Sequence, residues 1–85
     1  MPTLSRFLGI VIVMYWSDHL PPHFHAKYGD YEITVELETG IVDGKFPRRA
    51  LRHVLEWHEL HQDELWQAWD ACSQQKTPQP IAPLE

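Results

Sequence analysis

His23-Phe24-His25-Ala26-Lys27-Tyr28-Gly29-Asp30-Tyr31-Glu32-Ile33-Thr34-Val35-Glu36-Leu37-Glu38 is the stretch that decides the fold. Polar and apolar residues alternate with period two on both sides of Gly29-Asp30, the pattern of two strands that each turn one face to a core. A two-residue loop with glycine first is the arrangement of a type II′ hairpin turn. Such a turn pairs Tyr28 with Tyr31, and the rest of the register follows. Ala26 lies opposite Ile33 and Phe24 opposite Val35 on the core face; Lys27 meets Glu32, His25 meets Thr34 and His23 meets Glu36 on the other. Both halves pair compatible side chains, whereas a slip of one residue would exchange the two faces.

Downstream, Ile41-Val42-Asp43-Gly44 offers a fourth strand or a turn. From Pro47 the period becomes helical: Leu51, Val54, Trp57 or His58, His61, Leu65 and Trp69 recur every three or four residues. They draw one stripe down a helix of about 26 residues. Pro47 suits the first turn, where its missing N–H would have no helical partner. A single long helix is the simpler reading, and a break near His61-Gln62, with Asp63 as cap, is the alternative. Pro78, Pro80 and Pro83 exclude helix from the tail, while Ile81 and Leu84 predict an extended strap over an apolar surface.

Upstream, Phe7 to Trp16 is apolar throughout and β-branched at Ile10-Val11-Ile12-Val13, which predicts one strand. Its two alternating faces are both apolar, so it should be covered by helix on one side and by a second chain or the tail on the other. The run reaches only half of the roughly 20 residues that cross a bilayer, and no small-residue cleavage site follows it, so neither a membrane span nor a signal peptide is expected. The expected fold class is α+β: a three- or four-stranded, mainly antiparallel sheet packed by a long C-terminal helix. Residues 1–77 would form a single domain and 78–85 an extended Pro-rich tail.

With 85 residues the chain can build only one small core, so a partner or a second copy is expected to add stability. The lone Cys72 excludes an intramolecular disulfide and points to a reducing cytoplasm. Twelve acidic against seven basic side chains give a net charge of −5, which opposes nucleic acid as a partner. Lys45, Arg48, Arg49 and Arg52 nevertheless gather at the helix N-terminus, where the macrodipole disfavours positive charge. An anionic partner or a phosphate at this end is the functional reading, and an exposed basic turn relieved by Glu56 or Glu38 the structural one. Trp16, Trp57, Trp66 and Trp69 exceed what so small a core easily covers. Trp66 and Trp69 are neighbours on the helix and are candidates for a partner surface.

His23 and His25 project from the same strand face, with His19 on the preceding loop and Glu36 across the ladder. His19, His23 and His25 are a candidate set for a divalent metal, and His23 and His25 with Glu36 a candidate acid–base group. Solvated histidines on an exposed sheet face are the plainer alternative. No other cofactor is expected. On the helix, His58 and His61 share a face from which His53 is rotated by roughly 140°. His58-Glu59-Leu60-His61 lacks the His-Glu-x-x-His spacing of a zinc-protease helix, because position 62 is Gln.

Met1-Pro2-Thr3 with Arg6, Tyr15 to Pro22, Pro21-Pro22-His23-Phe24-His25-Ala26, Tyr28-Gly29 and Glu64-Leu65-Trp66-Gln67-Ala68-Trp69 together resemble a widespread bacterial family of small proteins catalogued as a domain of unknown function. That family is marked by a Met-Pro-Thr start and a Pro-Pro-His-x-His motif. The resemblance covers nearly the whole chain and leaves out the tail from Pro78. It maps the family's histidines onto His23 and His25, its prolines onto Pro21 and Pro22 and its helix-terminal tryptophan onto Trp69, and it supplies no catalytic residue. It implies a gene neighbour: members are often encoded beside a second small protein, as a toxin–antitoxin-like pair. The expected function is therefore a cytoplasmic protein-interaction component of such a pair, docking on the neighbour or on a second copy. The alternative is a ribonuclease or phosphoesterase with His23 and His25 as acid and base or as metal ligands. Glu36 would then orient one imidazole and Arg48 or Arg52 would hold phosphate.

Overall fold

The structure, a computed structural model, describes residues 2–85, so Met1 of the opening motif lies outside the described residues. Five strands, β1 (Thr3–Phe7), β2 (Ile10–Val13), β3 (His23–Tyr28), β4 (Tyr31–Glu36) and β5 (Val42–Lys45), precede two helices, α1 (Arg48–Leu60) and α2 (Gln62–Ser73). The strands form one antiparallel sheet in chain order. The class is α+β, but with five strands rather than three or four.

The difference begins at Phe7 to Trp16, which is not one strand but parts of a hairpin. Leu8 and Gly9 both take left-handed backbone, with φ of 50° and 80°, and two such residues in succession make a type I′ turn. Leucine is costly there, and its side chain disguised the turn as apolar run. Gly9 is also closely approached: a Cβ would lie 3.0 Å from Tyr28 Cε1. The turn sends Thr3–Phe7 back along Ile10–Val13 with a register shift between Thr3 and Ser5. At the far edge, Val42–Lys45 pairs with β4 as a strand, not as a turn.

Tyr28 pairs with Tyr31 and His23 with Glu36, and this register propagates across the sheet. Ile12, Ala26, Ile33 and, one row along, Phe24, Val35 and Val42 share the core face. Val13, His25, Thr34 and Asp43 form one row on the opposite face, and Arg6, Val11, Lys27, Glu32 and Lys45 the next.

The expected single helix is broken at His61, whose φ of −124° and ψ of 34° are not helical. His61 rather than Asp63 stands at the N-cap of α2, and Asp63 and Glu64 occupy its first turn, where negative charge suits the macrodipole. The His61 ring lies 5.4 Å from Trp57, and its Nδ1 is 2.6 Å from Glu64 Oε1, so both neighbouring turns hold the break. With this bend the C-terminal end of α2 meets the loop between β2 and β3, where Ser17 N–H donates to Cys72 O at 3.2 Å.

Trp57 sits in the core against Phe7 and Phe24. The tail lies across this region: Ile81 N–H donates to Leu4 O at 2.8 Å and Trp57 Nε1 donates to Ala82 O at 2.9 Å. Phe7, Ile10, Ile12, Val13 and Met14 are therefore buried by their own chain, and Leu8 and Trp16 remain exposed. Among the described residues no helix is long and apolar enough to cross a membrane.

Candidate functional site

Strand alternation delivers His23 and His25 to the face turned away from the core, and the Cα register sets both against β4. The loop between β2 and β3 then folds back over them. Its Asp18 comes from outside the sheet and is held by the backbone anchor at Ser17. Two imidazoles and one carboxylate thus meet from a strand and a loop.

Each imidazole is fixed through Nδ1. His23 Nδ1 lies 2.7 Å from Pro21 O, and because a carbonyl only accepts, this nitrogen carries the hydrogen. His25 Nδ1 faces Glu32 Oε2 at 3.1 Å. The Nε2 atoms of both rings turn to one oxygen, Asp18 Oδ2, at 2.9 Å from His23 and 3.2 Å from His25. The His23 contact is close but off the line of a hydrogen bond, so its buried Nε2 has no hydrogen-bonding partner.

The surroundings are aromatic. Tyr15 meets the His25 ring edge-on at 4.4 Å, His19 stacks on His23 at 5.0 Å, and Trp69 of α2 lies 5.6 Å from His23. Burial works against ionisation of Asp18, but the hydrogen bond from His25, the His19 backbone amide and positive charge on His23 and His19 together outweigh it. The carboxyl is held below its usual range. Beside the cluster lies a cavity of about 270 Å³ lined by His19, Pro21, His23, Thr34, Glu36 and Asp43.

Of the residues singled out from sequence, His23 and His25 are brought together with their rings 5.1 Å apart. His19 stands at the margin, mostly exposed, with Nε2 3.8 Å from Asp18 Oδ1. Glu36 lines the cavity and accepts from Thr39 Oγ1 at 3.3 Å. The carboxylates that touch the imidazoles are Asp18 and Glu32. Neither was marked by sequence reasoning; the available signal for Asp18 was an acidic residue in the short segment Ser17-Asp18-His19-Leu20 that ends at two prolines.

The basic group divides. Lys45 lies opposite Glu32 on the site's own face. Arg48, Arg49 and Arg52 are exposed at the start of α1, and Arg52 lines a separate cavity of about 610 Å³ with Glu38, Glu56 and His58. Trp66 is exposed on α2, whereas Trp69 is half-buried against His23. His58 is buried and donates from Nε2 to Leu37 O at 2.9 Å, a structural role. Burial pushes the Cys72 thiol up, away from a nucleophilic thiolate.

A family model described as "Domain of unknown function (DUF4160)" matches residues 9–70, a span that contains Asp18, His23, His25 and Glu32. No curated protein and no solved structure gives a significant match.

Proposed function

The chain belongs to the DUF4160 family of domains of unknown function, and from that premise we propose that it is a phosphoester-cleaving domain, of the ribonuclease or phosphoesterase class, with Asp18, His23 and His25 at its centre. One observation carries the reading: the Nε2 atoms of two imidazoles converge on a single carboxylate oxygen while each Nδ1 is engaged elsewhere. Rings fixed in this way are positioned to handle protons or a cation at one point in space. His58, by contrast, sets its Nε2 on the Leu37 carbonyl and shares no carboxylate with a second imidazole.

The adjoining row supports an anionic substrate. Arg6, Lys27 and Lys45 share the site's face by cross-strand register, one row from His25, with Glu32 between the two lysines, so the row carries a net positive charge although the chain as a whole is acidic. A phosphodiester laid along this row would present its phosphorus toward the cluster. The attacking oxygen loses its proton there as the new P–O bond forms, and the leaving oxygen regains one as the old bond breaks.

The assay is hydrolysis of bis(p-nitrophenyl) phosphate and of a labelled single-stranded RNA by the purified chain. Asp18→Asn and His25→Gln should each reduce the rate by about a hundredfold or more, with circular dichroism unchanged. A wild-type chain that turns over neither substrate, or variants as fast as wild type, would refute the proposal.

A second reading is favoured by one feature of the same loop. Trp16 and Leu20, 46% and 76% exposed, flank Asp18. A protein seated on them would cover the cluster. This fits a cytoplasmic bacterial component of a two-gene toxin–antitoxin-like module, whose neighbour, or a second copy of the chain, docks on this loop.

A further inference from the structure

We infer that Asp18, His23 and His25 hold one first-row divalent cation of the zinc type, through Nε2 of both imidazoles and an oxygen of the carboxylate. This deepens the hydrolytic reading and rests on it only for the role of the ion. The ligand atoms of all three residues lie within 4.8 Å of one another. Two ligands on a tetrahedral zinc ion, each about 2.0 Å from it, stand about 3.3 Å apart, so small side-chain rotations complete the geometry.

The hydrogen bonds around the cluster are those of a metal centre's outer layer. Ligating histidines donate their second nitrogen to a carboxylate or a backbone carbonyl, which fixes the tautomer. His25 faces Glu32 in this way and His23 faces Pro21 O. With Nδ1 so engaged, Nε2 is the ring nitrogen of His23 left to face Asp18 Oδ2, 2.9 Å away without hydrogen-bond geometry, and a cation seated between the two would satisfy both. The His23 side chain is 5% exposed, so its Nε2 is buried as well as unpartnered.

The donor set decides the kind of ion. Two imidazole nitrogens and one carboxylate suit zinc and its first-row neighbours, whereas calcium and magnesium favour all-oxygen shells. Three protein ligands leave a position open, as in catalytic rather than structural zinc sites. A cavity lined in part by Thr34, Glu36 and Asp43 adjoins His23. His19, stacked on His23 and mostly exposed, stays outside the set.

The test is calorimetric titration of the full-length, chelator-stripped chain with zinc chloride. Long-range ¹H–¹⁵N spectra of the imidazoles are recorded on the same samples. One zinc per chain is expected, shifting Nε2 of His23 and His25 and leaving His53, His58 and His61 in place, with no competition from millimolar magnesium. Asp18→Asn should weaken binding more than about tenfold, and Glu32→Gln by about tenfold to a hundredfold through His25. Glu32 is exposed, so that variant keeps the fold. Absence of binding at millimolar zinc, wild-type affinity in both variants, or shifts confined to the helix histidines would overturn the inference. Zinc binding without phosphoester turnover would defeat the hydrolytic reading alone. Full turnover by the stripped chain would defeat the ion's role in hydrolysis and leave its binding to the titration.

Discussion

Trp57 shows how one side chain can join three parts of this fold. Its indole is fully buried, 5.6 Å from Phe7 of β1 and 5.6 Å from Phe24 of β3, and its Nε1 donates to Ala82 O of the tail. Trp57→Phe removes that donor, leaves the carbonyl without its protein partner and opens a void. The first effect alone costs about 1–3 kcal/mol, and the smaller ring adds to it. Urea unfolding should therefore show a loss of about 3 kcal/mol, a large share of the stability of an 85-residue chain. A loss below about 0.5 kcal/mol, the range of ordinary surface substitutions, would show that the tail bond and the ring fit contribute little. The candidate site is also understood best at this scale. His23 and His25 were legible because a strand puts alternate residues on one face. Asp18 was not, because a loop has no period from which a direction can be read, and its role depends on the Ser17–Cys72 anchor 55 positions apart in sequence.

At the scale of elements, the β3–β4 hairpin was legible because turn chemistry and alternation agree around Gly29-Asp30. The β1–β2 hairpin was hidden by the same logic. Leu8 occupies a left-handed position where Asn or Asp would have announced a turn, so an apolar residue at a tight corner continued the apolar run. The helix break was visible only as an alternative, since His61 keeps the apolar spacing while its backbone leaves the helix. The tail can be tested as an element. Ile81 is buried, Leu84 packs against the core, and the two bonds to Leu4 O and from Trp57 tie the segment down. Deleting residues 78–85 exposes that apolar surface and should cost about 3 kcal/mol. In a domain of this size the loss appears as a fall in Tm of at least about 10 °C. An unchanged Tm would mean that the strap covers the core without stabilising it.

For the whole molecule, the relevant asymmetry is between the two sheet faces. One meets the helices and tail and carries the core. The other bears the imidazole cluster and a row containing Arg6, Lys27 and Lys45 on an otherwise acidic chain. Charge of this sign opposes general attraction to polyanions but leaves a local attraction at the row, which favours short anionic ligands over long ones. The loop that carries Asp18 also exposes Trp16 and Leu20, apolar side chains of the kind that anchor interfaces. If a second chain docks there, its footprint includes the site, and binding and activity must compete. The expected outcome is that the wild-type chain elutes above 10.0 kDa in size-exclusion chromatography. The double variant Trp16→Ser, Leu20→Ser should restore monomeric elution, at a folding cost of about 0.5 kcal/mol for Leu20 and about 1 kcal/mol or more for Trp16, whose Nε1 also donates to Lys76 O at 3.3 Å. A wild-type chain that stays monomeric would remove the docking of a second copy from this face and leave the imidazole cluster in place.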